Sequence, residues 1–200
     1  MHGRCRKTAH YKLRARRHNP TFHPMLIRPS TDDDLADITA IYGHHVRHGT
    51  GSFELEAPSQ AEMVARRAAV LERGLPWLVA ADDDGRVLGY AYAGPFRPRP
   101  AYRFCVEDSV YLAPQAVGRG VGRILLAELM ARCAALGARQ MLGVIGDSAN
   151  HASIRLHESL GFRHTGTMQH VGWKHGRWLD VVFMQRELGL GDREPPVDGA

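Results

Sequence analysis

Residues 110–130 read VYLAPQAVGRGVGRILLAELM. The apolar run VYL is typical of a β-strand, Pro114 interrupts it, and an amphipathic helix follows three alternating glycines, Gly118, Gly120 and Gly122. Such a bend favours an anion, because the first N–H groups of a helix lack partners and lie at the positive end of its dipole. The stretch therefore predicts a strand, an anion-binding loop and a helix in succession.

The spacing of the glycines separates three kinds of anion site. A P-loop for nucleoside triphosphates requires a lysine followed by serine or threonine after the last glycine, and this pair is missing. A dinucleotide site requires G-x-G-x-x-G after the first strand and an acidic residue about 20 positions later. Here the glycines follow a strand in the middle of the chain, and no such acidic residue closes the next strand. The pyrophosphate of coenzyme A is the third candidate.

The composition is that of a single globular domain. A chain of 200 residues can bury a sizeable core, and no apolar run reaches the length of a membrane span. The N-terminus lacks the apolar stretch of a secretory signal. The cysteines are Cys5, Cys105 and Cys133, and their positions match no metal-ligand spacing. An odd number of scattered thiols predicts a reducing, cytoplasmic location.

Positive charge is concentrated at the N-terminus. Residues 1–24 contain seven of the 26 Lys and Arg residues and none of the 21 Asp and Glu residues, so the remainder carries 19 basic against 21 acidic side chains. The net charge of +5 therefore belongs to this segment, which disfavours a nucleic-acid-binding domain. We expect residues 1–24 to be a basic, disordered extension, residues 25–189 to form the domain and residues 190–200 to be a flexible tail.

The periodicity of the remaining segments predicts an α/β protein. Leu35, Ile38, Ile41 and Tyr42 recur at helical spacing after a short strand-like run. The turn DDDG separates two strand-like runs in mid-chain, and KHG separates two more near the C-terminus. The predicted order is β-α-α-β-β-β-α-β-α-β-β, which indicates a mixed sheet.

Four segments occur in an order that resembles a known family: WLVAADDDGRVLGYAYAGPFRPRPAY, VYLAPQAVGRGVGRILL, NHASIRLHESLGF and GWKHGRWLDV. With them, residues 25–189 resemble the GNAT acetyltransferase superfamily, most closely its phosphinothricin and methionine sulfoximine N-acetyltransferase group. The resemblance implies a GNAT fold, in which helices flank a central, twisted, mixed sheet with a splayed middle strand pair. It also implies acetyl-CoA as co-substrate, no metal ion, and a homodimer.

The resemblance assigns the coenzyme site to the strand and loop quoted first. The N–H groups of Val110 and Leu112 are expected to meet the acetyl carbonyl and the pantetheine amides, and Asn150 and Ser153 to lie near the pantetheine arm or the leaving sulfur. The family usually has Gln or Arg where this chain has Val117. The full set of expected coenzyme-binding residues is Val110, Tyr111, Leu112, Val117, Gly118, Arg119, Gly120, Val121, Gly122, Arg123, Asn150 and Ser153.

The same resemblance assigns the catalytic groups. Acetyl transfer to an amine requires removal of a proton from the ammonium, polarisation of the thioester carbonyl and protonation of the leaving thiolate. Glu107 matches the position of the family's catalytic glutamate, and its apolar neighbours predict partial burial. His157 occupies the position of a tyrosine acid in many relatives. We predict Glu107 as the base, acting through water, and His157 as the second acid or base, although sequence alone leaves the order of the two open.

The acceptor is expected to be a small amino-acid-like amine such as phosphinothricin, methionine sulfoximine or methionine sulfone. Arg97 and Arg99, in a proline-rich loop, are suited to bind its carboxylate in bidentate fashion. Phe53, Tyr92 and Tyr102 are predicted to wall an apolar pocket, although aromatic residues at such positions also occur in cores.

Other interpretations of the chain stay open at this point. A protein N-terminus or a lysine is the alternative acceptor, and a non-catalytic, coenzyme-binding regulatory or nucleic-acid-binding module is the alternative class of function. His44 and His48 lie one helical turn apart without an acidic or thiol partner, which favours an exposed helix face over a zinc site. Cys105 and Cys133 have apolar neighbours and are predicted to be buried thiols, so transfer should be direct and not through an acetyl-enzyme.

Overall fold

The structure is a computed structural model that describes residues 25–196. Seven strands form one sheet in the order β1-β2-β3-β4-β5-β7-β6. The strands are β1 (Leu26–Pro29), β2 (Trp77–Ala81), β3 (Val87–Pro95), β4 (Cys105–Leu112), β5 (Gln140–Gly146), β6 (Arg163–Lys174) and β7 (Arg177–Glu187). The helices are α1 (Leu35–His48), α2 (Gln60–Leu71), α3 (Val121–Ala135) and α4 (His151–Ser159).

The predicted α/β class and order of elements are confirmed. The expectations for residues 1–24 lie outside the described residues, as do those for positions 197–200. Within the described part, no helix is both long and apolar enough to cross a membrane.

The sheet changes direction at its middle. Strands β1 to β4 are antiparallel, β4 and β5 are parallel, and β5, β7 and β6 are again antiparallel. The β4–β5 ladder runs only from Cys105↔Gln140 to Asp108↔Gly143, whereas β4 continues to Leu112 and β5 to Gly146. The two strands therefore separate beyond Asp108, which is the splayed middle pair that the family resemblance implied.

The helix after the glycine bend is anchored by the core. Leu125, Leu126, Leu129 and Cys133 are completely buried on α3, which packs against β3 and β4. Burying a leucine side chain contributes roughly 1.5–3 kcal/mol. The start of α3 is thus held beside the end of β4, next to the opening in the sheet.

Candidate active site

A cleft of about 480 Å³ occupies the opening between β4 and β5. We call it the splay cleft. Its walls are residues 108–112 of β4, residues 144–146 of β5, positions 152, 153, 156 and 157 of α4, and the loop at 49–51. Because the ladder stops at Asp108, the main-chain groups beyond it have no partner strand on this side.

The main-chain amides of β4 that face the splay cleft can be identified from the ladder. The Ala113 N–H donates to the Leu88 carbonyl, and the Cys105 carbonyl accepts from Phe96, so the odd-numbered residues of β4 bond to β3. Since antiparallel bonding alternates along a strand, the N–H groups of Val110 and Leu112 point the other way, into the cleft. These amides are free to bind carbonyl oxygens of an extended ligand.

The glycine loop has the backbone conformation that its sequence suggests. Gly118 and Gly120 have φ of 79° and 81°, in the left-handed region that favours glycine, and α3 begins directly afterwards at Val121. Val117 lines the splay cleft and is 58% exposed. The other predicted phosphate-binding residues follow Val117 in the chain and are not part of the cleft's lining: Gly118, Arg119, Gly120, Val121, Gly122 and Arg123.

Asn150 and Ser153 both line the splay cleft. Asn150 is also the N-cap of α4, because its Oδ1 accepts the Ser153 N–H at 3.3 Å. Its Nδ2 lies 3.5 Å from the Gly146 carbonyl. Both the oxygen and the nitrogen of the Asn150 side-chain amide therefore contact the main chain, while the residue also lines the cleft.

His157 is a buried residue, only 3% exposed, and its partner is Asp108. The His157 Nε2 lies 3.1 Å from Asp108 Oδ2, and Nδ1 lies 2.8 Å from the Ser153 carbonyl oxygen. Burial acts to lower the pKa of His157, but the hydrogen bond and charge of Asp108, together with the Ser153 carbonyl, outweigh it and raise the pKa above its ordinary value. Both His157 and Asp108 line the splay cleft.

Glu107 lies on the opposite face of β4 from Asp108, since successive side chains of a strand alternate, and it is outside the lining of the splay cleft. It is half-buried. Burial, followed by the charge of Asp108, raises the pKa of Glu107, and Arg97 opposes this shift. A carboxylate with a raised pKa is suited to accept a proton near neutral pH.

Arg97, Arg99 and Tyr102 line a second cavity of about 290 Å³, which we call the arginine cavity. Arg97 lies over the Phe96 ring at 4.8 Å, and Phe96 makes an edge contact with Tyr102. The arginine cavity shares none of its lining residues with the splay cleft. The charge of Arg97, which lines this cavity, acts on Glu107 and lowers its pKa against the effect of burial.

The other two predicted acceptor residues have structural contacts. Phe53 packs over Gly172 and against Gly146, so that it fastens the 49–54 loop to the β6–β7 hairpin, and it remains 37% exposed. Tyr92 stacks on Trp77 with ring centroids 4.2 Å apart. The structure therefore does not bring Phe53 and Tyr92 into the lining of either cavity.

Sequence reasoning missed Asp108, His45 and Lys174. His45 lines the splay cleft, and its Nε2 lies 2.8 Å from the Leu112 carbonyl oxygen, whereas the sequence pattern singles out only its neighbours His44 and His48. Burial lowers the pKa of His45, which favours its neutral form. Lys174 is 4% exposed and donates to the Ser52 carbonyl at 2.7 Å. Helical and strand periodicity would have suggested inward positions for Asp108 and His45, but not their partners.

The described residues contain neither a metal-ligand cluster nor an activated thiol. Among residues 25–196, no group of three His, Cys, Asp or Glu side chains is placed to hold a metal ion. Cys133 is buried, and burial, then the charge of Asp108, raises the pKa of its thiol to about 12. Cys105 is only half-buried, which corrects the expectation of full burial, and its pKa is also raised by burial. Neither thiol is activated as a nucleophile.

Comparison with known proteins gives a consistent result. Residues 42–162 match the model of the Acetyltransferase (GNAT) family. Phosphinothricin N-acetyltransferase of Alcaligenes faecalis is 56% identical over 170 residues, covering 85% of this chain and 86% of its own length. L-methionine sulfoximine/L-methionine sulfone acetyltransferase of Salmonella typhimurium is 42% identical over 164 residues, covering 82% and 95%. The crystal structure of a GNAT superfamily phosphinothricin acetyltransferase from Sinorhizobium meliloti in complex with acetyl-CoA superposes with a TM-score of 0.86 at 49% identity, covering 88% and 95%.

Proposed function

The chain belongs to the GNAT acetyltransferase family, and we propose that it transfers the acetyl group of acetyl-CoA to the amine of a small amino-acid-like acceptor. Phosphinothricin, methionine sulfoximine and methionine sulfone are the acceptors to test first, because the names of two similar enzymes specify them. The single observation that carries the proposal is the splay cleft, whose β4 edge offers the Val110 and Leu112 amides to a thioester carrier.

Direct attack of the amine on the thioester accounts for the groups present. The Val110 and Leu112 N–H groups polarise the carbonyl and the pantetheine amides, and the positive end of α3 with its glycine loop receives the pyrophosphate. Glu107 takes the proton from the amine through water, which its raised pKa suits. The nitrogen–carbon bond forms as the carbon–sulfur bond breaks, and no acetyl-enzyme is required.

The arginine cavity supports an acidic, compact acceptor. Arg97 and Arg99 line it together, and a guanidinium pair is suited to a carboxylate or a phosphinate. A basic peptide would be repelled by the same charges, so a protein lysine is the less favoured acceptor. Glu107 lies within the electrostatic reach of Arg97, so that an amine next to a bound carboxylate would lie near the base.

A direct assay tests this function. Purified full-length protein is given acetyl-CoA and one of a panel of amines, and a thiol reagent reports release of free CoA. We expect turnover with methionine sulfoximine, methionine sulfone and phosphinothricin, and little with lysine-containing peptides. Turnover with peptides alone would make the chain a protein acetyltransferase. Polyanion binding that is lost on deletion of residues 1–24, without turnover in either form, would favour the non-catalytic module.

We infer that the chain forms a homodimer through the β6–β7 hairpin. Trp173 and Trp178 pack edge to face, 5.2 Å apart, yet each remains 57% exposed, and Met168 and Val171 on the edge strand β6 are also about half exposed. A second copy would cover this apolar surface. Light scattering on Trp173→Ser with Trp178→Ser, compared with the wild type, tests the dimer.

The free thiols of Cys105 and Cys133 support a cytoplasmic location.

A further inference from the structure

The contacts of His157 fix the number of protons that it shares with Asp108. The Ser153 carbonyl oxygen can only accept a hydrogen bond, so the ring nitrogen 2.8 Å away, Nδ1, must carry a proton. The other nitrogen, Nε2, faces the Asp108 carboxyl group at 3.1 Å. That contact is a hydrogen bond only if one further proton lies between the two groups, on Nε2 or on the carboxyl oxygen.

The surroundings keep this arrangement in place. A Cβ atom on Gly143 would lie 2.7 Å from His157 Cδ2 and 2.8 Å from Nε2, so the imidazole occupies the space of a side chain at that position. The Phe162 ring packs edge-on against the imidazole, with centroids 4.9 Å apart. Asp108 Oδ1 is buried without a partner among the described residues, so His157 is the group that compensates the carboxylate.

A pair that already holds the extra proton is a poor base and can take part in the reaction only as an acid. Taking up another proton would leave a net positive charge buried in the sheet, which is costly. Releasing the shared proton leaves a neutral imidazole, still bonded to Ser153, and one carboxylate. Both residues line the splay cleft, where the thioester is received.

We propose that Asp108 is a positioning residue that keeps His157 loaded with a second proton, so that the pair protonates the leaving thiolate while Glu107 acts as the base. This assignment rests on the proposed acetyl transfer, and it decides between the two roles that the sequence left open. It gives Asp108, a residue without an expected role, a defined part in the reaction.

The proton balance of the step is closed. The ammonium first releases one proton to water, and the neutral amine then passes a second to the Glu107 carboxylate, directly or through water, as the nitrogen–carbon bond forms. The carbon–sulfur bond breaks, and the CoA sulfur takes the proton shared by His157 and Asp108. The pair then carries a net negative charge until a proton returns, and Glu107 releases its own, so that the enzyme is unchanged after each turnover.

The other titratable groups near the pair do not compete for its proton. From α3, Cys133 feels the charge of Asp108, but its thiol stays protonated. From β4, Glu107, whose pKa is raised by burial and then by the same charge, faces the opposite side of the strand. From β5, the neighbouring residue is Gly143, which has no side chain. A change in the alkaline limb of the pH profile can therefore be assigned to His157.

Nitrogen NMR of the histidine rings tests the proton count without any acceptor. In wild-type protein with ¹⁵N-labelled histidine, we expect both ring nitrogens of His157 to be protonated at neutral pH, with the signals assigned by their loss in His157→Gln. In Asp108→Asn we expect only Nδ1 to remain protonated. A wild-type ring with a single proton on Nδ1 would overturn the proposal, and this measurement stands even if Asp108→Asn fails to fold.

Kinetics with acetyl-CoA and methionine sulfoximine test the role in turnover. Asp108→Asn should reduce kcat by about 10²-fold, the scale of losing a general acid, with little change in KM for acetyl-CoA. Its alkaline limb should move to lower pH, and Asp108→Glu should restore part of both losses. Asp84→Asn, in the exposed β2–β3 turn, is the matched control and should behave as wild type. If Asp108→Asn keeps the kcat and the pH profile of the wild type, the proposal is refuted. If the wild type itself shows no turnover, the proposed function is refuted, and the NMR result alone decides the proton count.

Discussion

The Asp108 carboxylate and the His157 imidazole meet at the last residue pair shared by β4 and β5. Asp108 pairs with Gly143 in the ladder, and the His157 ring lies against Gly143 while it bonds to Asp108. The place where the two strands separate is therefore also the place where helix α4 inserts the imidazole of His157. The position of the proposed acid and the shape of the splay cleft depend on the same three residues.

Gly143→Ala should displace His157. The added methyl group would lie within 2.8 Å of the ring, and overpacking of this kind costs about 1–3 kcal/mol. We expect a lower melting temperature together with a reduced kcat, measured by thermal unfolding and by the CoA-release assay. Gly166→Ala, on β6, is the matched control, because a Cβ there meets nothing within 4 Å. Equal kcat in the two variants would show that the ring position does not matter for turnover.

Glu107→Gln should leave acetyl-CoA affinity nearly intact and reduce kcat by about 10²-fold or more. The acid limb of the wild-type pH profile should reflect the raised pKa of Glu107, because protonation of the carboxylate as pH falls removes the base. This limb should disappear in the variant. Calorimetry and the pH dependence of kcat measure the two effects, with the exposed Glu72→Gln as control. Unchanged turnover would exclude Glu107 as the base.

Replacement of Arg97 and Arg99 by alanine should weaken the binding of acceptors that carry a carboxylate more than the binding of acceptors that lack one. A charge-assisted hydrogen bond contributes about 1.5–3 kcal/mol, which corresponds to a rise of roughly 10- to 100-fold in KM for an α-amino acid. An amine of the same length without the carboxyl group should show little change. Steady-state kinetics with both acceptors measure the difference. An equal loss for both would mean that the arginine cavity does not bind the carboxylate.

Gly120→Ala and Gly85→Ala form a matched pair. Both glycines have φ of 81°, and an added methyl group would meet no atom within 4 Å at either position, so each substitution should cost about 1–2 kcal/mol of backbone strain. Only Gly120 precedes α3. We expect similar losses of thermal stability, but weaker acetyl-CoA binding in Gly120→Ala alone, measured by calorimetry. Equal affinities in the two variants would argue against this loop as the pyrophosphate site.

The Asp108–His157 pair should make stability depend on pH. The folded-state pKa of His157 is raised, so the contribution of the bound proton is complete below the ordinary imidazole pKa of about 6.5 and declines as pH rises through the folded-state value. The difference in free energy of unfolding between wild type and Asp108→Asn should shrink over that interval. Denaturant unfolding at a series of pH values measures it, and a pH-independent difference would contradict the assigned pair.

Local patterns predicted the fold well because they depend on neighbouring residues. Strand alternation, helical spacing and the glycines before Val121 are readable along the chain, and the α/β order followed from them. The contact between Asp108 and His157 joins positions 49 residues apart, so no local pattern reports it. Family resemblance identifies Glu107 but not its neighbour Asp108. Since adjacent side chains of a strand point to opposite faces, it is Asp108 that faces the splay cleft. The separation of the arginine cavity from the splay cleft also depends on tertiary structure, so it could not be predicted from local patterns.

The 49–54 loop is fastened before any ligand arrives. Lys174 holds the Ser52 carbonyl, His175 lies 3.2 Å from the Gly49 carbonyl oxygen, and Phe53 is wedged over Gly172. A wall that is already in place has little conformational entropy left to lose when a long, flexible carrier enters. The rate of association should therefore be set by diffusion and ordering of acetyl-CoA itself. The enzyme should bind it as a rigid receptor, without closing around it.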